Sequence, residues 1–177
     1  MKPTRIRTER LDMIPATLDT LRSDREKLAR LLDAAVPGSW PPPLLDDDTR
    51  DAFTLMIAEK GDPFFAAWYW VRDDPAEGGR VLIGCAAIAT PPTADDGGDT
   101  VLIGYSVLDE FQRRGYATEA VRHLVPAIFS VPGIRRITAT TYPELGAAIR
   151  VLEKNGFSPA GEGFEEGTIA YVLEKDD

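Results

Sequence analysis

One stretch limits what this chain can fold into more than any other. An apolar run from Val101 to Val107 is followed by Gln112-Arg113-Arg114-Gly115-Tyr116-Ala117, which opens an amphipathic segment reaching about Phe129. Ala117, Ala120, Val121, Leu124, Val125 and Ile128 keep the i, i+3, i+4 spacing of a helix with one apolar face. Pro126 falls late in that helix and should kink or shorten it. A strand, a turn rich in Gly and Arg, and a helix bring a row of backbone N–H groups to one point. The first four N–H groups of a helix have no partner within it, and the helix dipole adds roughly half a positive charge there. Such a point suits a phosphate. Gly115 lets the backbone approach a ligand closely, Ala117 keeps the next turn thin, and Arg113 and Arg114 add charge for a phosphate to use.

The remaining elements are read around that unit. Residues 4–14 predict a first strand closed by Pro15, and residues 16–35 a helix with Leu18, Leu21, Leu28, Leu31 and Leu32 near one face. Val36 to Pro43 cannot continue a helix and form a loop around Trp40. Asp46 to Thr49 offer caps for a second helix over 49–60, with Phe53, Met56 and Ile57 inward and Gly61-Asp62-Pro63 as its stop. Ala66 to Arg72 and Val81 to Ala89 predict a hairpin across the turn at 73–79, followed by a polar loop from Thr90 to Gly98. Beyond the central helix come a strand over Ile134 to Thr141, a helix from about Leu145 to Asn155 with Gly156 as its C′ residue, and a closing hairpin over 157–162 and 168–174. The order β-α-α-β-β-β-α-β-α-β-β predicts an α+β fold in one domain over 1–177: an α/β/α sandwich with helices on both faces of a mixed sheet.

Composition narrows the partners. A net charge of −9 argues against a nucleic-acid backbone as ligand. Residues 111–136 run against that balance, with Arg113, Arg114, Arg122, Arg135 and Arg136 facing one acid, Glu119. The acidic remainder can steer a cationic amine or serve solubility alone. No apolar run of about 18 residues predicts a membrane span. The first residues lack the apolar core of a signal peptide, and a single cysteine, Cys85, predicts a cytoplasmic protein without an internal disulfide.

Three motifs in this order resemble one known family. Val107-x-x-x-x-Gln112-x-x-Gly115-x-Ala117 is similar to the pyrophosphate-binding motif of the GNAT acetyltransferase superfamily. Gly115-Tyr116-Ala117-Thr118-Glu119-Ala120 resembles the branch of the ribosomal-protein N-terminal acetyltransferases. Ile149 to Phe157 looks like that branch's next helix and its Gly-Phe exit, and Arg7-Thr8-Glu9-Arg10-Leu11 like its opening strand. The resemblance implies a mostly antiparallel sheet of about seven strands, with strands four and five splayed and acetyl-CoA entering the wedge. It implies that Gln112, Arg113, Arg114, Gly115, Tyr116, Ala117 and Thr118 hold the pyrophosphate, and that Val107 and the nearby strand backbone hold the pantetheine arm. The activity implied is N-acetyl transfer to a primary amine, small molecule or protein N-terminus, by direct attack in a ternary complex. A non-catalytic acyl-CoA-binding module of the same fold is the alternative. No metal, nucleic acid or membrane is implied, and dimerisation by edge strands or the closing hairpin is open.

Acetyl transfer needs a polarised thioester carbonyl, a neutral amine and a protonated leaving thiolate. In the resembling family a strand-four backbone N–H does the first job; Gly104 is the natural place here for irregular backbone, and such a donor is worth on the order of 3 kcal/mol. For the rest the chain departs from the family. Leu102, Thr140, Leu145, Ala148 and Leu152 stand where relatives carry acid–base or thiol-contacting groups. Three readings follow: a base from Glu59, Glu110 or Glu144, an amine of low pKa, or binding without turnover. Tyr105 can donate to substrate or thiolate, or be a packed strand aromatic. Tyr142 and Glu144 lie in the loop beside the wedge, and Trp40 lines an acceptor pocket or plugs the core. His123 reads as a surface residue, Cys85 as a buried structural thiol, and Thr118 and Glu119 as capping and first-turn charge.

Overall fold

The computed structural model describes residues 5–60, 63–89, 98–163 and 165–176. Eight strands form one sheet: β1 (Ile6–Arg7), β2 (Leu11–Pro15), β3 (Ala67–Asp73), β4 (Arg80–Ala89), β5 (Thr100–Val107), β6 (Arg136–Thr141), β7 (Ser158–Glu162) and β8 (Ile169–Glu174). Their order is β1-β2-β3-β4-β5-β6-β8-β7. Neighbours are antiparallel except β5 and β6, which run parallel. The sheet has one strand more than the seven expected because the first strand breaks. The Thr8 hydroxyl accepts from the Leu11 N–H at 3.0 Å and the Thr8 N–H donates to the Leu11 carbonyl, which folds 6–15 into a tight hairpin.

Among the described residues five α-helices flank the sheet: α1 (Leu18–Arg22), α2 (Arg25–Leu32), α3 (Asp47–Lys60), α4 (Tyr116–Phe129) and α5 (Gly146–Lys154). The single helix expected over 16–35 is two. Asp24 accepts from the Lys27 N–H at 2.8 Å and starts α2, while Ser23 before it is extended. Leu21, Leu28 and Leu32 face the core as expected, but Leu31 is 45% exposed. Pro126 is accommodated inside α4, which runs on to Phe129. Gly61-Asp62 and the polar loop over 90–97 lie outside the described residues.

The period-two alternation of the strands splits the apolar residues between two cores. Trp68, Trp70, Ile83, Ile88, Val101 and Ile103 pack with Val121, Leu124, Ile128 and Leu152 under α4 and α5. Tyr69, Val71, Leu82 and Cys85 pack with Leu21, Leu28, Phe53 and Ile57 under α1 to α3. Trp40 belongs to this second core, its ring 6.1 Å from that of Tyr69. It is buried at 8% exposure and borders a small cavity of about 180 Å³ beside α1 and α2.

Irregular backbone was expected at Gly104, yet β5 matches β4 residue for residue from Leu102↔Ala89 to Val107↔Gly84. The irregularity sits one strand away. Trp70 pairs with Gly84 and Val71 with Leu82, so Ile83 is an extra residue in β4. Gly84 is what lets β5 lie so close: a Cβ there would fall 2.6 Å from the Ser106 carbonyl oxygen.

The seam between β5 and β6 positions everything that follows. Only Thr100↔Arg136, Val101↔Ile137 and Leu102↔Thr138 are paired. Beyond Leu102 the strands diverge, while β6 stays fully paired to β8 as far as Thr141↔Ile169. This is the splay expected between the fourth and fifth long strands.

Candidate active site

The wedge opens into a cavity of about 820 Å³ with three walls: the end of β5, the loop and first turn of α4, and α5 with the residues before it. The β5 wall offers backbone. The Leu108 N–H bonds the Ile83 carbonyl at 2.8 Å on the β4 side. By alternation the N–H and C=O groups of Tyr105 and Val107 face the wedge, where the β6 ladder has ended. The Gln112 side-chain amide donates to the Val107 carbonyl at 2.9 Å and ties the loop to the strand.

The loop turns through left-handed backbone at Arg113 (φ 65) and Gly115 (φ 82). Gly115 caps α4 without a side-chain hydrogen bond, and the first bond inside the helix runs from the Glu119 N–H to the Gly115 carbonyl. The N–H groups of Tyr116, Ala117 and Thr118 are therefore left for a ligand. Glu119 does more than add first-turn charge. It is buried at 6% exposure and accepts from the Thr8 hydroxyl, the Arg10 N–H and Arg10 Nε. Arg10 Nη1 in turn donates to the Arg114 carbonyl at 3.0 Å, and its guanidinium lies 4.3 Å over the Tyr116 ring. The β1–β2 corner thus holds the loop in shape.

Tyr105 lines the cavity, stacks on Trp70 at 6.2 Å and donates from its hydroxyl to the Ala148 carbonyl at 3.2 Å. Burial pushes this phenol well above its ordinary pKa. Glu144 lines the cavity, is exposed, and is the one carboxylate among the described lining residues. Glu110 accepts from Ser39 and neither it nor Glu59 reaches the cavity; Tyr142 donates toward Glu165. Leu145 and Ala148 line the cavity as apolar residues, Leu152 is buried in the core at 1% exposure, and Leu102 and Thr140 lie off the lining.

The five arginines grouped in sequence are dispersed in space. Arg113 lines the cavity and Arg114 lies 5.9 Å over Phe111 beside it. Arg122 and His123 both reach Glu9, and Arg136 bonds Glu174. Cys85 is 1% exposed, its thiol pushed up to about 12 by burial. Arg150 and Lys154 of α5 also line the cavity and went unread in the sequence. Their one-turn spacing is visible there, but only the fold shows which face of α5 it is on. Among the described residues no group of three or more His, Cys, Asp or Glu is placed to hold a metal ion, and no helix is long and apolar enough to cross a membrane.

Residues 5–158 match the family model of the acetyltransferase (GNAT) domain. The chain belongs to the GNAT acetyltransferase family. Among curated proteins this GNAT chain is 37% identical over 59 residues to an uncharacterized N-acetyltransferase, YoaA, of Bacillus subtilis, a match covering 33% of each protein. Among solved structures it resembles the ribosomal-protein-S5-alanine acetyltransferase of Vibrio fischeri, with a TM-score of 0.66 at 19% identity over 99% of this chain and 98% of that one. An aminoglycoside acetyltransferase solved with coenzyme A aligns with a TM-score of 0.60 at 20% identity, over 93% of this chain and 95% of the other.

Proposed function

We propose that this GNAT protein moves an acetyl group from acetyl-CoA to a primary amine, on a small molecule or a protein N-terminus, with both substrates bound together. The observation that carries the reading is that the anion-ready loop, the end of β5 beyond its pairing with β6, and Tyr105 all line one cavity. The pyrophosphate lies at Gln112 to Thr118, against the N–H groups that open α4. The pantetheine arm runs along β5 and bonds the wedge-facing backbone of Tyr105 and Val107. One of those N–H groups polarises the thioester carbonyl. The amine nitrogen bonds to the carbonyl carbon and the carbon–sulfur bond breaks. The proton lost by nitrogen passes to Glu144 or water, and sulfur takes one from Tyr105, which is refilled from solvent. The neighbour solved with coenzyme A supports the choice of donor.

A second reading, binding of acyl-CoA without turnover, is favoured by the apolar Leu145 and Ala148 and by the lone carboxylate at the cavity. Thermal unfolding with CoA and acetyl-CoA tests both. Ligand at about 100 times its dissociation constant adds roughly 2.7 kcal/mol of stability, and Gly115→Glu should abolish the shift. Thiol release with a panel of amines then separates them. Transfer lost in Gly115→Glu overturns the second reading, thermal shifts with no thiol release overturn the first, and no shift at millimolar ligand overturns both.

A further inference from the structure

Three cations line the cavity: Arg113 in the loop, and Arg150 and Lys154 one turn apart on α5. None forms a hydrogen bond or ion pair with a described residue. Several arginines elsewhere find acids, Arg5 and Arg80 with Asp12, Arg7 with Asp73, Arg10 with Glu119, and Arg136 with Glu174, while Arg25 bonds carbonyls. In a chain of net charge −9, two like charges kept together without an acid point to an anion that joins them.

Two hydrogen bonds fix where α5 lies along the cavity. Asn155 donates to the Thr118 carbonyl at 3.4 Å, so the C-terminal end of α5 sits against the first turn of α4. Ala148 accepts from Tyr105, so the N-terminal end sits beside the wedge. Lys154 therefore flanks the phosphate end, with Arg150 one turn nearer the wedge. Arg150 lies back along its helix over Gly146, where a Cβ would stand 3.3 Å from Nη1.

A diphosphate carries two negative charges, which the open N–H groups of α4, its dipole, Arg113 and the adjacent Arg114 can match. Arg150 and Lys154 exceed that need. Coenzyme A carries a third phosphate on its ribose, a monoester with a charge of about −1.5 to −2 at neutral pH. We propose that Arg150 and Lys154 bind the ribose 3′-phosphate of coenzyme A and make this protein select the phosphorylated cofactor over its dephospho form. This assignment rests on the acetyl-CoA reading above.

Calorimetric titration with CoA and with dephospho-CoA tests it, on the native protein and on Arg150→Gln/Lys154→Gln. Both side chains are exposed, so the variant should unfold like the native protein without ligand. The native protein should bind CoA roughly tenfold tighter than dephospho-CoA, as two exposed charge-assisted contacts would give. The variant should bind both alike, with its affinity for dephospho-CoA unchanged. A native protein that binds both ligands equally overturns the proposal. So does a variant that weakens both by the same factor, which would put the pair on the diphosphate. Binding of neither ligand by the native protein would overturn the acetyl-CoA reading itself.

Discussion

Tyr105 is held between the Trp70 ring and the Ala148 carbonyl, and burial keeps its hydroxyl protonated throughout the range in which enzymes work. A phenol in that state can give a proton but cannot act as a base. Tyr105→Phe keeps the ring and its packing while removing the donor. Steady-state kinetics should then show kcat reduced by about 100-fold and the KM for acetyl-CoA nearly unchanged; an unchanged kcat would make Tyr105 a packing residue only. At the same scale, Gly84 acts through what it lacks. The β4 bulge and the Ser106 carbonyl leave no room for a methyl group, so the course of β5 past the wedge depends on the residue opposite Val107 in the neighbouring strand.

At the scale of elements, α4 is held by its first turn. Glu119 joins it to the β1–β2 corner, and Arg10 reaches from that corner to the Arg114 carbonyl. Glu119→Ala leaves Arg10 without its acid and Thr8 without its acceptor, so urea unfolding should show a loss of about 3 kcal/mol. The loop should also lose its shape, and CoA affinity should fall by roughly tenfold in calorimetry as a result. Equal affinity in the variant would show that the loop keeps its shape without the corner. Much at this scale was legible in the sequence. The strand, Gly-Arg turn and helix around Gly115 were read from local rules, as were α5 and its stop at Gly156, where φ is 89. The break at Asp24 was missed because an apolar stripe continues across it, while the cap that makes it is a single side-chain bond. Gly84 and Gly104 look alike as glycines within apolar runs, and only strand pairing tells which one bears the close approach. Glu119 and the Arg150–Lys154 pair are ordinary polar residues until the neighbours of their helices are known.

For the whole molecule, two cores on opposite faces of one sheet make stability sensitive to alkali. Burial raises Cys85 and Tyr69 to about 12 and Tyr105 further, above ordinary values of 9.0 for the thiol and 10.0 for the phenols. The unfolded chain ionises first, so the folded state holds more protons and stability falls as pH rises past about 9. Urea titrations should lose roughly 4 kcal/mol between about pH 9 and 11. In Cys85→Ala the loss should be smaller and begin near 10; an unaltered onset would exclude the thiol as its source. On the acid side, burial works to raise Asp12, but hydrogen bonds from Arg5 and Arg80 outweigh it and hold its pKa below the ordinary 3.8. That contribution is complete above about pH 4 and is lost as acid protonates the folded carboxyl.

The diverging strands also bear on solubility. A row of unsatisfied backbone groups along a strand invites pairing with another molecule and so promotes aggregation, and most proteins guard such a row where it lies at a sheet's rim. Here the stretch of β5 without a strand partner lies mid-sheet, between the ends of α4 and α5, and the Gln112 side chain already covers its Val107 carbonyl. Set inside the sheet and not at its rim, this stretch of β5 is shielded from the edge-to-edge pairing that an outer strand invites.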